Sequence, residues 1–256
     1  MLRVESKFTA KSAKRADTNE SDDVIQHVAA LTWSGISSEL DAHGYATIHS
    51  LLGAEQCAAI AGLYPANEHF RSQVVMSRHG FGRGEYKYFA YPLPALVTAL
   101  RVTLYPPLAR IANRWNQAMG IDVSFPKEHA QFIERCHEAG QCRPTPLLLQ
   151  YGPDDFNCLH QDVYGEHVFP LQVAILLKEP GIDFTGGEFI LTEQRPRMQS
   201  RAEVVPLRRG DGVIFPVRHR PVQGTRGTYR VNMRHGVSLL RSGNRHTLGI
   251  IFHDAT

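Results

Sequence analysis

The C-terminal half of the chain is a succession of short apolar segments separated by glycine- and proline-rich turns. Segments 147–151, 171–177 and 247–252 have the length and the Leu, Val and Ile content of buried strands. Segments 184–191 and 210–215 repeat the pattern, and each is entered through a glycine turn. The pattern predicts a β domain built from two packed sheets, a jelly roll.

Helix-like segments precede these strands, and two short strand-like segments, 45–52 and 86–91, lie among them. Helices are predicted at four places: 24–43, 53–63, 95–119 and 126–139. The third is expected to break near Pro106-Pro107, because proline removes a backbone donor. Helices first and strands last predict an α+β protein. Its helical part is expected at 24–145 and its jelly-roll core at 146–256.

The N-terminal segment, residues 1–23, is polar, mixes both charges and lacks the apolar core of a signal peptide. It is predicted to be a disordered tail. No apolar run reaches the roughly eighteen residues of a membrane span, so no membrane association is expected. The four cysteines form no CxxC pair, which favours reduced thiols and a cytoplasmic location.

His160-Gln161-Asp162 and the later His235 are the residues most suggestive of chemistry. Residues i and i+2 of a strand point to the same face, so His160 and Asp162 are predicted to reach one metal ion. Two histidines and one carboxylate can hold one face of a non-haem iron and leave the opposite face open. His235 is the predicted third ligand, and Fe(II) is the predicted metal.

Two other residues compete for places in this site. His219 is an alternative distal ligand, because it lies nearer to the 210–215 strand. Under the preferred assignment of His235, residues 216–234 become an insertion between strands and a candidate substrate-contact loop. Cys158 shares the predicted face of His160, but iron held by three harder donors does not need a thiolate.

At this point the chain resembles the Fe(II)/2-oxoglutarate-dependent dioxygenases, most closely the branch with prolyl hydroxylases and many bacterial oxygenases. The matching residues occur in the family's order: Tyr151, His160, Asp162, Gly186-Gly187-Glu188, Gly210-Asp211, His235, Val237, Gly243 and Arg245. The match covers 147–256 strongly and extends weakly to 40–47. The resemblance implies a double-stranded β-helix, or jelly-roll, core with N-terminal helical support.

The resemblance also implies cofactors and residue roles. Fe(II), 2-oxoglutarate and O2 would hydroxylate a C–H bond with release of succinate and CO2, and ascorbate is expected only in support. Arg245 would pair with the distal carboxylate of 2-oxoglutarate, because a guanidinium donates two parallel hydrogen bonds. Tyr151 would add a hydroxyl to that carboxylate or serve as a core tyrosine, and Thr247 is a weaker candidate. His43, His246 and His253 are expected to be structural or exposed.

Arginine is concentrated in one part of the chain. Residues 195–245 contain twelve arginines, no lysine and two acids, while the whole chain carries only +3. Such a segment favours a polyanionic partner, although some of these arginines are expected to pair with nearby acids. Basic and aromatic residues also mix in three shorter stretches, as base-stacking surfaces do. These are Phe70-Arg71, Arg78–Gly84 and Tyr86–Phe89.

Three hypotheses for the substrate remain open. The first is an oxygenase that demethylates alkylated nucleic acid, with single-stranded or damaged DNA as partner. A bacterial branch that the chain is similar to has been proposed to act so, but well-known DNA-demethylating dioxygenases carry a second arginine where this chain has Ile251. The second is a hydroxylase of proline, another amino acid or a protein side chain. The third is a non-catalytic jelly roll that only binds a ligand.

Overall fold

The structure of the chain is a computed structural model that describes residues 21–163, 165–225 and 227–256. Residues 1–20 of the predicted tail, 1–23, lie outside the described residues. Residues 21–23 are helical. In the described part of the chain, no helix combines the length and apolar character needed to cross a lipid bilayer.

Five α-helices occur in the described residues, with single 3₁₀ turns at Asn67–His69 and Met76–Arg78. They are α1 (21–30), α2 (Trp33–His43), α3 (Ala54–Gly62), α4 (Ala95–Ala118) and α5 (His129–Glu138). The single helix predicted at 24–43 is therefore two helices. The Trp33 indole donates to the Val28 carbonyl at 3.1 Å, and this bond satisfies an acceptor that the end of α1 leaves free.

Helix α4 continues through Pro106-Pro107, so the predicted interruption is wrong. Leu104, Tyr105 and Leu108 around the prolines are fully buried. Burial of this apolar face outweighs the backbone donors that the two prolines remove. A residue pattern read along the chain does not contain that tertiary contribution.

Fifteen strands lie in the same described part of the chain. They are β1 (Ala46–Ile48), β2 (Phe70–Val75), β3 (Gly82–Arg83), β4 (Glu85–Phe89), β5 (Leu147–Tyr151), β6 (Phe156–His160), β7 (Leu171–Leu176), β8 (Phe184–Gly186), β9 (Phe189–Gln194), β10 (Arg201–Val205), β11 (Gly212–Pro216), β12 (His219–Gly224), β13 (Gly227–Val237), β14 (Leu240–Gly243) and β15 (Arg245–Ile250). All the ladders between them are antiparallel.

The strands form a major sheet, a minor sheet and a small third ladder. The major sheet has the order β1-β11-β7-β15-β5-β4-β2, and the minor sheet has β10-β9-β13-β6-β3 with β12 paired to β13. Strand β7 divides between two cores: Val173 and Ile175 pack with the helices, whereas Ala174 and Leu176 face the minor sheet. This is the expected jelly roll, with helices on one face of the major sheet.

Two features of this arrangement were not predicted. Residues 216–234 are not a loop insertion, because they form β12 and most of β13, a hairpin on the minor sheet. Of the four strands that 24–145 contributes, β1 and β4 match the predicted strands 45–52 and 86–91, whereas β2 and β3 were not predicted. Strands β1, β2 and β4 join the major sheet, and β3 joins the minor sheet. The partners of β1 and β3, and the β5 partner of β4, lie 59 or more residues away in the sequence.

Candidate metal centre and its cavity

His160, Asp162 and His235 come together between the two sheets. His160 is the last residue of β6 and lies directly opposite His235 of β13 in the antiparallel register. Asp162 lies two residues beyond the end of β6, in a loop. The prediction that both residues share a strand face is therefore wrong for Asp162, but the loop returns its carboxylate to the same point.

The donor atoms of this triad converge. One carboxylate oxygen of Asp162 lies 3.4 Å from Nε2 of His160, and the other lies 3.3 Å from Nε2 of His235. The three donor atoms all lie within 4.8 Å of one another. These separations exceed the usual 2.7–3.2 Å of an N–H···O hydrogen bond. They fit ligands arranged around an ion better than they fit directly paired side chains.

The surroundings fix the form of the His160 ring. Its Nδ1 donates to the Cys158 carbonyl at 2.7 Å, so in the neutral ring Nε2 carries the lone pair that a metal needs. The ring of His235 packs between Phe189 and Phe215. Its Nδ1 is buried without a hydrogen-bond partner, so ring packing and the Asp162 carboxylate beside Nε2 orient this ring.

The three groups perturb one another's ionisation. Burial disfavours the charge on Asp162, but the adjacent His160 and His235 imidazoles outweigh burial and hold its pKa well below the usual range. Burial also opposes protonation of His160, yet its contact with Asp162 raises its pKa. Burial and the neighbouring His160 lower the pKa of His235. A carboxylate that stays ionised beside two imidazoles is the donor set that suits Fe(II).

The competing residues lie outside the triad. His219 is on β12, opposite Asn232 of β13, and it is not part of the cluster that His160, Asp162 and His235 form in the described chain. Cys158 is exposed, and its carbonyl rather than its thiol contacts His160. Of the histidines expected to be structural or exposed, His43 is exposed and His253 is fully buried.

The triad opens on a cavity of about 280 Å³ that also contains Arg245, Tyr151 and Thr247. Arg245 and Tyr151 face each other across the β15–β5 ladder, and the guanidinium carbon lies 5.5 Å from the tyrosine ring centre. Arg245 donates to the Thr247 hydroxyl at 2.6 Å. Its Nε and the Tyr151 hydroxyl are buried without hydrogen-bond partners.

At this end of the cavity, Nε of the Arg245 cation and the Tyr151 hydroxyl are therefore buried donors that lack an acceptor. Buried polar groups are usually satisfied, so the two orphaned groups indicate a ligand that accepts hydrogen bonds. Burial lowers the pKa of Arg245 and raises that of Tyr151 to about 12, so the hydroxyl stays a donor. Gly187 makes room, because a Cβ there would lie 3.0 Å from Cδ of Arg245.

Gln172 is a cavity residue that the sequence patterns did not predict. Gln172 lies on β7, where every residue is buried, and its side-chain nitrogen has no hydrogen-bond partner. It lines the same cavity as the triad. The signal was present in the sequence, since Gln172 is the single polar residue in the run Leu171–Leu177.

Comparison with known families decides the class. A model of the family described as "Oxygenase, catalysing oxidative methylation of damaged DNA" matches residues 84–255. The chain belongs to this family. Two uncharacterized proteins from Mycobacterium tuberculosis strains, CDC 1551 / Oshkosh and H37Rv, are each 48% identical over 167 residues, which cover 65% of this chain and 72% of theirs.

Solved structures give the fold. A Pseudomonas putida prolyl-4-hydroxylase matches with a TM-score of 0.50 at 14% identity, over 88% of this chain and all of that one. A 2OG-Fe(II) oxygenase-family oxidoreductase from Burkholderia pseudomallei matches with 0.53 at 15% identity, over 89% and 94%. A Trichoplax adhaerens prolyl hydroxylase bound to a hypoxia inducible factor peptide matches with 0.55 at 12% identity, over 86% and 87%.

The family match and the shared fold confirm two predictions. The core is the jelly roll of the Fe(II)/2-oxoglutarate oxygenases, and the chain is an oxygenase of that class. The triad places suitable donors for iron within this core.

Proposed function

We propose that this oxygenase removes methyl groups oxidatively from alkylated nucleic acid, using Fe(II) held by His160, Asp162 and His235. The observation that carries the proposal is the shared cavity. The triad and the buried Arg245, whose Nε has no hydrogen-bond partner, line one space, so metal and dicarboxylate can bind side by side. The family's description, which names damaged DNA, directs the choice of substrate.

Arg245, Tyr151 and Thr247 would hold the distal carboxylate of 2-oxoglutarate. The guanidinium supplies parallel hydrogen bonds that distinguish a dicarboxylate from a mono-acid, and the Tyr151 hydroxyl supplies another donor. Iron bound by the triad, with 2-oxoglutarate and O2, supplies the oxidising equivalents, and 2-oxoglutarate leaves as succinate and CO2. The apolar walls around His235, formed by Phe189 and Phe215, exclude water from the reacting centre.

The chemistry balances for an N-methyl group. One oxygen atom of O2 enters the substrate's C–H bond, and the other enters succinate. The hydroxymethyl group on nitrogen then loses formaldehyde and leaves the free base. Formaldehyde and succinate are therefore expected in equal amounts.

Several arginines of 195–245 have structural partners. Arg220 is buried and pairs with Glu193, and it also donates to the Asp41 carbonyl. Arg195 pairs with the same Glu193 at 2.8 Å. Arg230 donates to the Met119 carbonyl at the end of α4. The expectation that some arginines of this segment pair with acids is confirmed for Arg195 and Arg220.

Two exposed arginines of the segment lie near the metal centre. Gln161, which lines the cavity, donates to the Met233 carbonyl at 2.8 Å and lies 3.4 Å from the Arg218 carbonyl. Arg218 and Arg234, the neighbour of Met233, are both exposed. Positive side chains at this position suit phosphates on either side of a base that enters the cavity.

The test is a coupled assay with purified full-length chain, Fe(II), 2-oxoglutarate and O2. Succinate and formaldehyde are measured with a single-stranded oligonucleotide carrying one N-methylated base, with the unmodified strand, and with neither. We expect the methylated strand to stimulate turnover and release formaldehyde, and His235→Ala to give the blank. Equal turnover with both strands and no formaldehyde would contradict the proposal.

The same assay separates the alternatives. Turnover indifferent to DNA but stimulated by a prolyl peptide or a free amino acid would indicate a hydroxylase of those substrates. No turnover and no bound iron would leave a ligand-binding jelly roll.

A further inference from the structure

The central cavity has two chemically different ends. Register between β15 and β5 places Arg245 opposite Tyr151 at one end and Gly249 opposite Leu147 at the other. Ile251, which lines the second end, is six residues from Arg245, or about 20 Å along a strand. Among the described residues that line the cavity, Arg245 is the only arginine or lysine. The second end therefore has no positive charge from a side chain of that kind.

The chain crosses between the two sheets beside this cavity. Strand β3 is the edge of the minor sheet, and β4 belongs to the major sheet, so the crossing occurs at Gly84. The backbone there has φ +109°, and a Cβ would lie 3.0 Å from the Tyr151 ring. Only glycine makes that approach without strain. From this crossing the two strands diverge, β3 along β6 and β4 along β5.

Aromatic residues occupy both sides of this cleft. Phe81 precedes β3 on the minor-sheet side, and Tyr86 and Tyr88 lie on β4 on the major-sheet side, and all three line the cavity. Strand alternation turns Lys87 and Phe89 away, because Lys87 donates to the Tyr64 carbonyl and Phe89 packs with the helices. Of the stretch Tyr86–Phe89, only alternate residues can therefore contact a ligand in the cavity.

Phe81 is held in place although it is 43% exposed. Its carbonyl accepts the Cys158 amide of β6 at 2.9 Å, and its ring stacks on His79 with centroids 5.3 Å apart. An exposed aromatic side chain at a cavity mouth, fixed by backbone and ring contacts, is a surface on which another ring can stack.

The opposite side is also preorganised. Tyr88 is covered on one face by the Arg71 guanidinium, 4.4 Å from the ring centre, and it meets Tyr86 edge to face with centroids 5.3 Å apart. Phe70, by contrast, stacks on Phe89 among the residues that pack with the helices. Of the Phe70-Arg71 pair, Arg71 packs on the ring of Tyr88, which lines the cleft, and Phe70 packs against the helix-side core.

A hydrogen-bond donor lies at the inner wall of the uncharged end. Ladder register places Val173 of β7 beside Ile250 of β15, so Gln172 is level with Ile251. Gln172 is 5% exposed, and its amide nitrogen has no hydrogen-bond partner. An unsatisfied buried amide costs roughly 1–3 kcal/mol, which a ligand acceptor would offset.

We propose that the end of the cavity away from Arg245 is the substrate subsite, and that it binds a planar heteroaromatic ring carrying a hydrogen-bond acceptor. Phe81 stacks on the ring from the minor-sheet side, Tyr86 and Tyr88 contact it from the major-sheet side, and Gln172 donates to its acceptor. This rests on the proposed function and names the ligand class as a single extruded methylated base. A base must leave a duplex to enter so small a cavity.

The ligand class follows from the complementarity of these walls. Aromatic stacking recognises a flat ring and is worth about 1–3 kcal/mol per base. A buried amide donates a directional hydrogen bond, which an aliphatic side chain cannot accept. A saturated proline ring offers neither a flat π-face nor a ring acceptor.

The experiment compares Phe81→Leu, Phe81→Trp and Gln172→Met with wild type, and with Ile182→Ala as an exposed control away from the cavity. Ile182 is 82% exposed. KM is measured separately for 2-oxoglutarate and for the methylated single strand. A second readout, free of turnover, is the anisotropy of labelled methylated and unmodified strands bound to metal-free protein.

We expect Phe81→Leu to raise KM for the methylated strand about ten-fold or more, the loss of one stacking contact, and Phe81→Trp to restore it. Gln172→Met should raise it about five- to ten-fold. KM for 2-oxoglutarate should stay within two-fold in all three. The anisotropy preference for the methylated strand should disappear in Phe81→Leu and persist in Ile182→Ala.

The failures are distinguishable. If wild type responds to methylated DNA but Phe81→Leu keeps its KM and its preference, the subsite is wrong and the proposed function stands. If Gln172→Met raises KM only for 2-oxoglutarate, Gln172 belongs to the co-substrate site and its assignment is overturned. If no methylated strand stimulates wild type, both the function and the subsite are overturned.

Discussion

Two clusters in this molecule, each with a buried arginine, contain the same residue types and differ in how that arginine is paired. The cavity group is His160, Asp162, His235 and Arg245. The anchor group is Arg101, His137, His253 and Asp254, between α4, α5 and the C-terminus. Each has two histidines, one aspartate and one arginine, and in each the arginine is 2% exposed.

In the anchor group every nitrogen of Arg101 and both carboxylate oxygens of Asp254 have partners, whereas Nε2 of His253 is buried without one. Asp254 accepts from Arg101 at 2.7 Å, from His137 at 2.9 Å and from the Tyr91 hydroxyl at 2.8 Å. Arg101 further donates to the carbonyls of Ile251 and His253. Such a network fixes the end of the chain against α4 and has no open position for a ligand.

The cavity group is less tightly paired within itself. The triad nitrogens stay 3.3–3.4 Å from Asp162, and Nε of Arg245 has no partner. Residue type therefore does not distinguish a functional cluster from a structural one. The pairing of the arginine does, because every nitrogen of Arg101 has a partner and Nε of Arg245 has none, and buried donors are usually satisfied.

The largest expected effect is on the cavity group. Asp162→Asn should reduce 2-oxoglutarate turnover below about one hundredth of wild type, since loss of a ligand should exceed the 10–100-fold cost of an outer-shell partner. The readout is succinate formation under saturating Fe(II). The matched variant Asp254→Asn should keep the turnover of its folded fraction within a few-fold. Comparable losses of turnover per folded molecule would remove the distinction between the two groups.

The free energy of unfolding should respond in the opposite order, with the larger loss in Asp254→Asn and the smaller in Asp162→Asn. Asp254→Asn leaves Arg101 buried without its counter-ion, and we expect the free energy of unfolding to fall by about 3–5 kcal/mol. Denaturant unfolding measures this. Asp162→Asn should destabilise the metal-free protein far less, because its contacts with the histidines are long. A larger loss in Asp162→Asn would mean that the triad is a structural network.

Substitution of Arg245 tests its role in binding the co-substrate. Arg245→Lys should raise KM for 2-oxoglutarate about 10- to 100-fold, because a point charge replaces a bidentate fork, with little change in unfolding free energy. Thr247→Val removes the acceptor of one Arg245 bond and one proposed contact to the carboxylate but keeps the guanidinium, so it should raise KM less. Unchanged KM in Arg245→Lys would place the dicarboxylate elsewhere.

Acid should destabilise the protein through His253 and the adjacent His129. Burial, with Arg101 nearby, lowers the pKa of each to about 4, and Nδ1 of His253 accepts the Phe169 amide. Both values lie below the unfolded pKa of about 6.5, so the unfolded chain binds more protons. Stability should therefore fall as pH drops from 6.5 to 4, by at most about 1.4 kcal/mol per pH unit for each histidine.

Denaturant unfolding at pH 7, 5.5 and 4.5 measures this slope. Replacing His253 with Asn should flatten it. A free energy of unfolding that stays constant over this range would show that neither histidine is held neutral.

The smallest effect is predicted for His219, the rejected ligand. His219→Ala should change turnover by less than about two-fold, since a half-exposed residue on the β12–β13 hairpin lies outside the triad. Loss of metal in this variant would restore it as a ligand.

Much of the fold could be predicted, because short apolar segments and glycine turns are local signals. The four site residues His160, Asp162, His235 and Arg245 could also be predicted, because their order along the chain forms a motif that is read directly from the sequence. What failed depends on distant contacts. Burial keeps α4 helical through Pro106-Pro107.

The active-site details that were missed have the same cause. The loop that returns Asp162 to the triad, the pairing of β12 with β13, and the choice of Phe81 over Phe70 as a cavity residue all depend on packing. Gln172 was the exception, because a single glutamine in an apolar strand could have been noticed from the sequence.

Equilibrium metal binding is the direct test of whether His160, Asp162 and His235 form the metal centre. Anaerobic calorimetric titration of Fe(II) into metal-free protein, with 2-oxoglutarate present, should give one ion per chain for wild type and for His219→Ala. It should give no measurable binding for Asp162→Ala. Binding of one ion that survives Asp162→Ala, or no binding by the folded wild type, would contradict the assignment of the triad as the metal centre.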